Sequence, residues 1–339
     1  MYKLREVVIE MTTQCNLNCI HCGSGCGHQA DIGELSTEEW ESVLFQLSEL
    51  GAEKVVFSGG EPTLKAGFER VLLLAGKLGV KVGFISNGLF PFSELLREAM
   101  CVSNPFAVGL SIDGLKETHN MVRRNKKSWQ GLMQNVSLLQ KLNIQICVVT
   151  TLHKLNYREL PRLANFLNLA EIDSWQLQLA MPAGRMMEQS KLLITEEDFK
   201  DICNEVLLLK SQFPGMNIQS ADCFGLAPEN SIRSDCWTGC TAGISSMGID
   251  ACGSIMLCLS LQSFKRHENI RDKPISEIWE TSDTFDFNRK FSKSDVQGNC
   301  KECEFLGECR GGCASQSFSY YGYFHSSPFC FFRSFYKQK

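Results

Sequence analysis

The chain contains no apolar run approaching the roughly 20 residues needed to cross a bilayer. Its N-terminal segment, Met1-Tyr2-Lys3-Leu4-Arg5-Glu6, leads into a short apolar stretch with neither a signal-peptide h-region nor a cleavage site. Blocks of like charge are missing too. The 34 basic and 38 acidic residues are interspersed to a net charge of -4, without the basic patch that tracks nucleic acid. Internal repeats and low-complexity tracts are absent as well. These absences argue against secretion and against membrane or nucleic-acid partners, so the expected location is the cytoplasm. At 339 residues the chain can form one large α/β domain and a smaller second one. Cysteine, by contrast, is abundant, with 17 residues. Disulfides need an oxidising compartment that this chain has no signal to reach, so metal or cluster ligation is the better account.

Apolar, β-branched runs at Glu6–Met11, Lys54–Phe57, Lys81–Ile85, Phe106–Ser111, Ile144–Thr150 and Ser174–Leu179 read as strands. Helical patterns lie between or after them, at Ser36–Leu50, Phe68–Leu78, Phe92–Cys101, Trp129–Leu142, Asn156–Leu167 and Thr195–Lys210. The pairs Ser36/Glu39, Asn156/Glu159 and Thr195/Asp198 have the spacing of a helix-capping pair. Regular β-then-α alternation means parallel strands joined by right-handed crossovers. Six units are too few for a closed eight-fold barrel, so the expected fold is α/β, an open, partial (β/α)6 TIM-like barrel. The rhythm breaks at Phe213-Pro214-Gly215. The expected division is a barrel over residues 1–213 and a small cysteine-rich domain over 214–339, held together largely by metal.

Directly after the first strand stand Cys15, Cys19 and Cys22, spaced by three and two residues. Such a triplet can hold three corners of a four-iron cluster and leave one iron open to a cofactor. A structural zinc site is the plain alternative, but it uses four ligands, usually in paired Cys-x-x-Cys knuckles. With His21 before its third cysteine, the triplet resembles the signature of the radical S-adenosylmethionine (SAM) superfamily. Other features strengthen the resemblance. Ser58-Gly59-Gly60-Glu61-Pro62 ends the second strand and is similar to that family's Gly-Gly-Glu-Pro motif. Ser86-Asn87-Gly88 ends the third strand, and Ser111-Ile112-Asp113-Gly114 the fourth. The resemblance implies a [4Fe–4S] cluster on the three cysteines and a SAM site formed by Gly59, Gly60, Glu61, Ser86, Asn87, Ser111, Asp113 and Arg123. Glu61 would take the methionine ammonium, Ser86 and Asn87 would lie near the ribose, and Arg123 would take the methionine carboxylate.

A second field of cysteines runs Cys240, Gly253, Cys258, Cys300-x-x-Cys303, Cys309, Cys313 and Cys330. This order and spacing closely resemble the SPASM extension of peptide- and protein-modifying radical SAM enzymes, which binds two auxiliary four-iron clusters. Carried over, Cys240, Cys258 and Cys313 would hold the first cluster, and Cys300, Cys303, Cys309 and Cys330 the second. Cys236 is the expected fourth ligand of the first, with Cys223, Cys252 or an open iron as alternatives. Pro182-Ala-Gly-Arg185 and Glu277-Ile-Trp279 extend the likeness over nearly the whole chain. Cys101, Cys147 and Cys203 read as small buried hydrophobes. Cys26, just beyond the first loop, is a candidate hydrogen-atom donor.

The resemblance implies reductive cleavage of SAM to a 5′-deoxyadenosyl radical, which removes a hydrogen atom from the substrate. Cofactors are therefore SAM and three [4Fe–4S] clusters. The leading substrate is a ribosomally made precursor peptide that is cross-linked, excised or epimerised. The alternatives are a sulfatase-type formylglycine maturase and a non-catalytic iron–sulfur electron carrier, the latter disfavoured because a carrier has no use for a SAM pocket. The first strand begins near Glu6, which leaves no room before it for a fused leader-binding domain. The expected partners are a separate leader-binding protein and a reductant such as flavodoxin or ferredoxin.

Overall fold

The computed structural model describes residues 2–28, 30, 33–233, 237–261, 264 and 268–336. The six expected strands form within two residues of their expected ends. They are β1 (Glu6–Glu10), β2 (Lys54–Ser58), β3 (Lys81–Ser86), β4 (Ala107–Ser111), β5 (Ile146–Leu152) and β6 (Ser174–Leu179). Each pairs in parallel with its sequence neighbour, as right-handed crossovers dictate. The crossovers carry α1 (Thr37–Glu49), α2 (Phe68–Lys77), α3 (Glu94–Ser103), α4 (Lys116–Val122), α5 (Ser128–Lys141) and α6 (Leu160–Leu169), and α7 (Glu196–Gln212) follows β6. In α1, Trp40, Val43, Leu44 and Leu47 form the buried stripe, and Ser36 and Glu39 make the reciprocal capping box. Thr195 and Asp198 do the same for α7.

The third expected cap is not one. Asn156 accepts the His153 N–H at 2.8 Å and donates to the carbonyls of Thr151 (2.8 Å) and Asp113 (3.1 Å). Glu159 instead accepts from Leu115 N and Thr118 Oγ1. Residues Tyr157–Glu159 form a 3₁₀ turn, and α6 starts at Leu160 with Pro161 in its first turn, where a missing N–H costs nothing. The Asn/Glu pair thus stitches the loops after β4 and β5 together. Helix α4 carries no apolar stripe, and its sequence KETHNMV gave no periodic signal. Cys101 is exposed rather than buried, because α3 turns Leu96, Ala99 and Met100 inward; Cys147 is half-buried and Cys203 fully buried.

The sheet continues past Pro214. The short, polar β7 (Asn217–Ser220) pairs with β6. Then β8 (Ser246–Ile249) returns to the opposite edge and pairs in parallel with β1, Glu6 opposite Ser246 and Ile9 opposite Ile249. A two-residue β9 (Ile255–Met256) completes the open order β7-β6-β5-β4-β3-β2-β1-β8-β9 among the described residues. The N–H and C=O groups along β1 are therefore satisfied on both sides. The apolar core runs without interruption from Leu4 through the barrel to Ile278, Trp279, Phe285 and Phe331. Helix α8 (Ile275–Thr281) sets Trp279 5.0 Å from Phe285, its indole N–H on the Tyr2 carbonyl. The last third of the chain thus shares the barrel's core, where metal was expected to supply much of what holds it. Among the described residues no helix is long and apolar enough to cross a membrane.

Candidate functional site

The loop after β1 closes on itself. Cys15 N donates to Gly27 O at 2.6 Å, and Gly27 N to Thr13 O. Arg185 clamps the other side: its backbone N–H bonds Cys22 O at 3.0 Å, while its guanidinium bonds Cys19 O (2.9 Å) and Cys26 O (2.7 Å). The neighbouring Gly184 has φ +52°, and a Cβ there would lie 2.4 Å from Cys22 O. Glycine is obligatory at that contact. Held this way, Cys15, Cys19 and Cys26 are buried with Leu17 and Leu89, and Cys22 packs beside them. The Cys26 thiol lies against Cys22, and their shared hydrogen bond holds Cys22 down and Cys26 well up. Burial pushes Cys15 up to about 11.

Glycines 59 and 60 admit the cysteine loop itself. A Cβ on Gly60 would fall 2.3 Å from Gln14 O and one on Gly59 2.5 Å from Thr12 O. Gly60 N and Glu61 N donate to those same two carbonyls, Thr12 O and Gln14 O, each at 2.8 Å. The Glu61 carboxylate is 1% exposed and accepts from Thr63 Oγ1 (2.7 Å), Ser86 Oγ (2.9 Å) and Asn87 N (2.8 Å). Burial still raises its pKa. Asn87 Nδ2 reaches Asn16 Oδ1 at 2.7 Å and Cys15 Sγ at 3.7 Å, so the ends of β2 and β3 are tied to the cysteine loop. Ser111 is the half-buried last residue of β4, opposite Val149 of β5.

Asp113, two residues beyond β4, is fully buried. Arg123 places Nε and Nη2 on one of its oxygens at 2.7 and 2.6 Å, and Thr151 N donates to the other at 3.0 Å. Arg123 Nη1 lies 3.8 Å from Cys19 Sγ. Although burial opposes the charge, the Arg123 guanidinium holds the Asp113 carboxyl well below the usual carboxylate range. Three histidines surround the pair. His21 Nε2 is 3.3 Å from Asp113, His119 Nδ1 accepts the Asp113 N–H at 3.3 Å, and the His153 ring is 5.7 Å from that of His21. Burial holds His21 at about 4 and His119 at about 3, both neutral, and lowers His153. His21 Nδ1 and His153 Nε2 are buried without a hydrogen-bond partner. Sequence reasoning missed Arg185's clamp, His119 and His153. The signal for His153 was its place directly after β5, the same strand-end rule that selected the other residues.

Of the later cysteines, Cys300, Cys303, Cys309 and Cys330 line one cavity, with Phe305 and Phe332. A Cβ on Gly311 there would fall 2.1 Å from His325 O. Cys240, Cys258 and Cys313 form a second group, each burdened electrostatically by another of the three or by Asp222. Burial pushes all three thiols up, and neighbouring backbone amides, of Ala242 and Ala314 at Cys240, Ser260 at Cys258 and Gln316 at Cys313, pull each partly back. Cys236 lies outside the described residues. Cys252 sits apart in the β8–β9 turn, where Asp250 Oδ1 accepts its N–H, and beside Arg271. Among the described residues no three His, Cys, Asp or Glu side chains converge closely enough to chelate a single metal ion.

The model of the radical SAM superfamily matches residues 9–167, and that of the SPASM iron–sulfur cluster-binding domain matches 240–304. The chain belongs to the radical SAM superfamily. It carries a SPASM domain and has the superfamily's fold. It is 24% identical to the AdoMet-dependent heme synthase of Methanosarcina barkeri, across 97% of each chain. It is 25% identical to the PqqA peptide cyclase of Bradyrhizobium diazoefficiens, across 93% of this chain and 83% of that one. Its fold is similar to that of Streptococcus suis SuiB, solved bound to precursor peptide SuiA, with a TM-score of 0.75 at 19% identity, covering 96% and 76% of the two chains.

Proposed function

We propose that this radical SAM/SPASM protein is an enzyme that modifies a ribosomally made peptide. The observation that carries the enzymatic reading is the meeting of Cys15, Cys19 and Cys22 with Glu61, Asn87 and the Asp113–Arg123 pair at the C-terminal ends of β1 to β4. This is the catalytic end of a parallel βα array. The donor sets fit iron–sulfur clusters: three cysteines on the first loop, four around the Cys300–Cys330 cavity, and the group of Cys240, Cys258 and Cys313. When bound, SAM and its cluster supply a 5′-deoxyadenosyl radical able to take a hydrogen atom from an unactivated carbon.

The chain's own residues do the rest. Arg185 and Gly184 fix the cysteine loop, so the three sulfurs are presented before a cluster arrives. Arg123 keeps N–H groups beyond the two given to Asp113, and these are available to the methionine carboxylate. Glu61, oriented by Ser86, Asn87 and Thr63, is available to the ammonium, with Ser86 and Asn87 beside the ribose. Gly59 and Gly60 keep this ground flat, and Ser111 closes the β4 end. Residues 1–213 serve as the radical SAM unit and 214–339 as the auxiliary unit, although they share one sheet. A reductant such as flavodoxin or ferredoxin and a separate leader-binding protein complete the system.

The PqqA peptide cyclase and the peptide-bound SuiB support the peptide substrate. The heme synthase matches as much of the chain and favours a second reading, a tetrapyrrole substrate. Reconstituted enzyme given SAM, reductant and either precursor peptides or iron porphyrins separates the two. We expect 5′-deoxyadenosine together with a peptide of changed mass. Turnover of the porphyrin alone would overturn the peptide reading.

A further inference from the structure

Three thiols are one short of a closed four-iron cluster, and Cys240, Cys258 and Cys313 are three. A fourth sulfur belongs to the barrel. After β7 the chain makes a 3₁₀ turn, Asp222–Phe224, anchored to β6 by Ala221 N on Leu177 O at 2.8 Å. Cys223 in that turn is 5% exposed, and its Sγ accepts the Leu179 N–H at 3.2 Å. Two residues further along the same strand end, Met181 Sδ lies 3.9 Å from Ser315 Oγ, which is itself 3.1 Å from Cys313 Sγ. Both sulfurs therefore hang on the end of β6. On the far side of the turn, a Cβ on Gly225 would fall 2.9 Å from Cys330 Cα, so the turn runs between the two auxiliary cysteine groups.

The environment of Cys223 is that of a ligand. A neutral thiol is a weak acceptor, yet this sulfur takes a backbone N–H, and backbone amides likewise favour the thiolates of Cys240, Cys258 and Cys313. Amide bonds to sulfur are a feature of cluster thiolates, whose potential they tune. The electrostatic burden on Cys223 comes first from Cys313, after burial itself. Cys203 and Cys147, which belong to neither ligand set, lack this combination. Cys203 has cysteine neighbours but no amide donor, and Cys147 has an amide donor but no cysteine neighbour.

We infer that Cys223 is the fourth ligand of the first auxiliary cluster, taking the place that spacing assigns to Cys236. The inference rests on the reading that Cys240, Cys258 and Cys313 hold that cluster. It makes the cluster fully protein-ligated, with no iron left for a substrate atom, and fastens it to the barrel rather than to the SPASM segment alone.

The test uses the full chain with Cys15, Cys19 and Cys22 replaced by Ala, reconstituted anaerobically, so that only auxiliary clusters contribute. Iron content and the EPR spectrum of the reduced protein are read with and without imidazole. Cys223→Ala opens an iron, so imidazole is expected to change its spectrum, while the parent and Cys236→Ala show no response. Cys223→Ser, which keeps the side-chain volume, should retain the iron with a changed spectrum and decides the matter if the alanine variant does not fold. Parent-like spectra in both Cys223 variants, or an imidazole response from Cys236→Ala, would overturn the assignment. Cys240→Ala/Cys313→Ala is the control for the underlying reading and should lose about four irons. Full iron retention there would sink that reading, and this inference with it, whereas iron loss with an unresponsive Cys223→Ala sinks the inference alone.

Discussion

Arg123 bridges two demands, since its guanidinium neutralises Asp113 and also faces Cys19. Replacing it would do more than remove the proposed contact to SAM. Arg123→Ala strands a fully buried carboxylate, and breaking a buried pair on one side costs about 3–5 kcal/mol. The single variant is expected to be strongly destabilised, by urea unfolding, and to bind SAM weakly by calorimetry. Adding Asp113→Asn should recover most of the stability and none of the SAM affinity. Recovery of both would mean that Arg123 serves the fold alone. The residues legible in the sequence were those with fixed neighbours: a Cys-x3-Cys-x2-Cys spacing or a Gly-Gly-Glu run carries its loop geometry with it. His119 and His153 have no spacing partner; topology alone brings them to Asp113. Asn156 and Glu159 misled for the related reason that an i, i+3 pair looks the same whether it caps a helix or ties two loops.

An ion-pair fork helps join helix α1 to the region after β9, beside the Ile275 N–H on Gln46 Oε1. Arg271 places Nε and Nη2 on the two Glu39 oxygens at 2.6 and 2.9 Å, while Glu39 also serves the capping box. Bidentate pairing of this kind is at the strong end for a half-exposed ion pair, but water and salt still limit it to about 0.2–1 kcal/mol. The guanidinium lowers Glu39 from 4.5 to about 2. A depressed carboxyl stabilises the fold above its unfolded value, and the contribution is lost only as pH falls from 4.5 toward 2. Arg271→Ala should therefore shift the urea midpoint equally at pH 7 and pH 5. A smaller shift at pH 5 would show that Glu39 titrates as an ordinary carboxyl. Strands β1 to β6 could be read from their apolar runs. The four-residue Asn-Ile-Gln-Ser of β7 could not, since it buries only Ile218 and Ser220 and owes its conformation to the free edge of β6.

For the molecule as a whole, the auxiliary region is tied to the barrel by β8, by Trp279 and by a common core. Losing the outer cysteine set should therefore loosen only its surroundings. Cys300→Ala/Cys303→Ala is expected to lose about four irons and to become protease-sensitive near residues 298–312, with residues 246–249 still protected. Cleavage throughout 214–336 would show that ligation, not packing, holds the region. The shared core was invisible in the sequence because its apolar residues after Pro214 are scattered over short elements and have no common period.

The pairing of β8 with β1 also bears on how the chain is made. The strand leading into the first cysteine loop has β2 on one side, but its other side stays bare until residues 246–249 leave the ribosome. During most of synthesis a parallel edge next to three reactive thiols is open to solvent, to other nascent chains and to oxidants. The link between the two strands is among the longest-range in the molecule, and such pairings form late and slowly. A chain truncated before Ser246 would keep the motifs at the ends of β1 to β4 yet lack the strand that seals them.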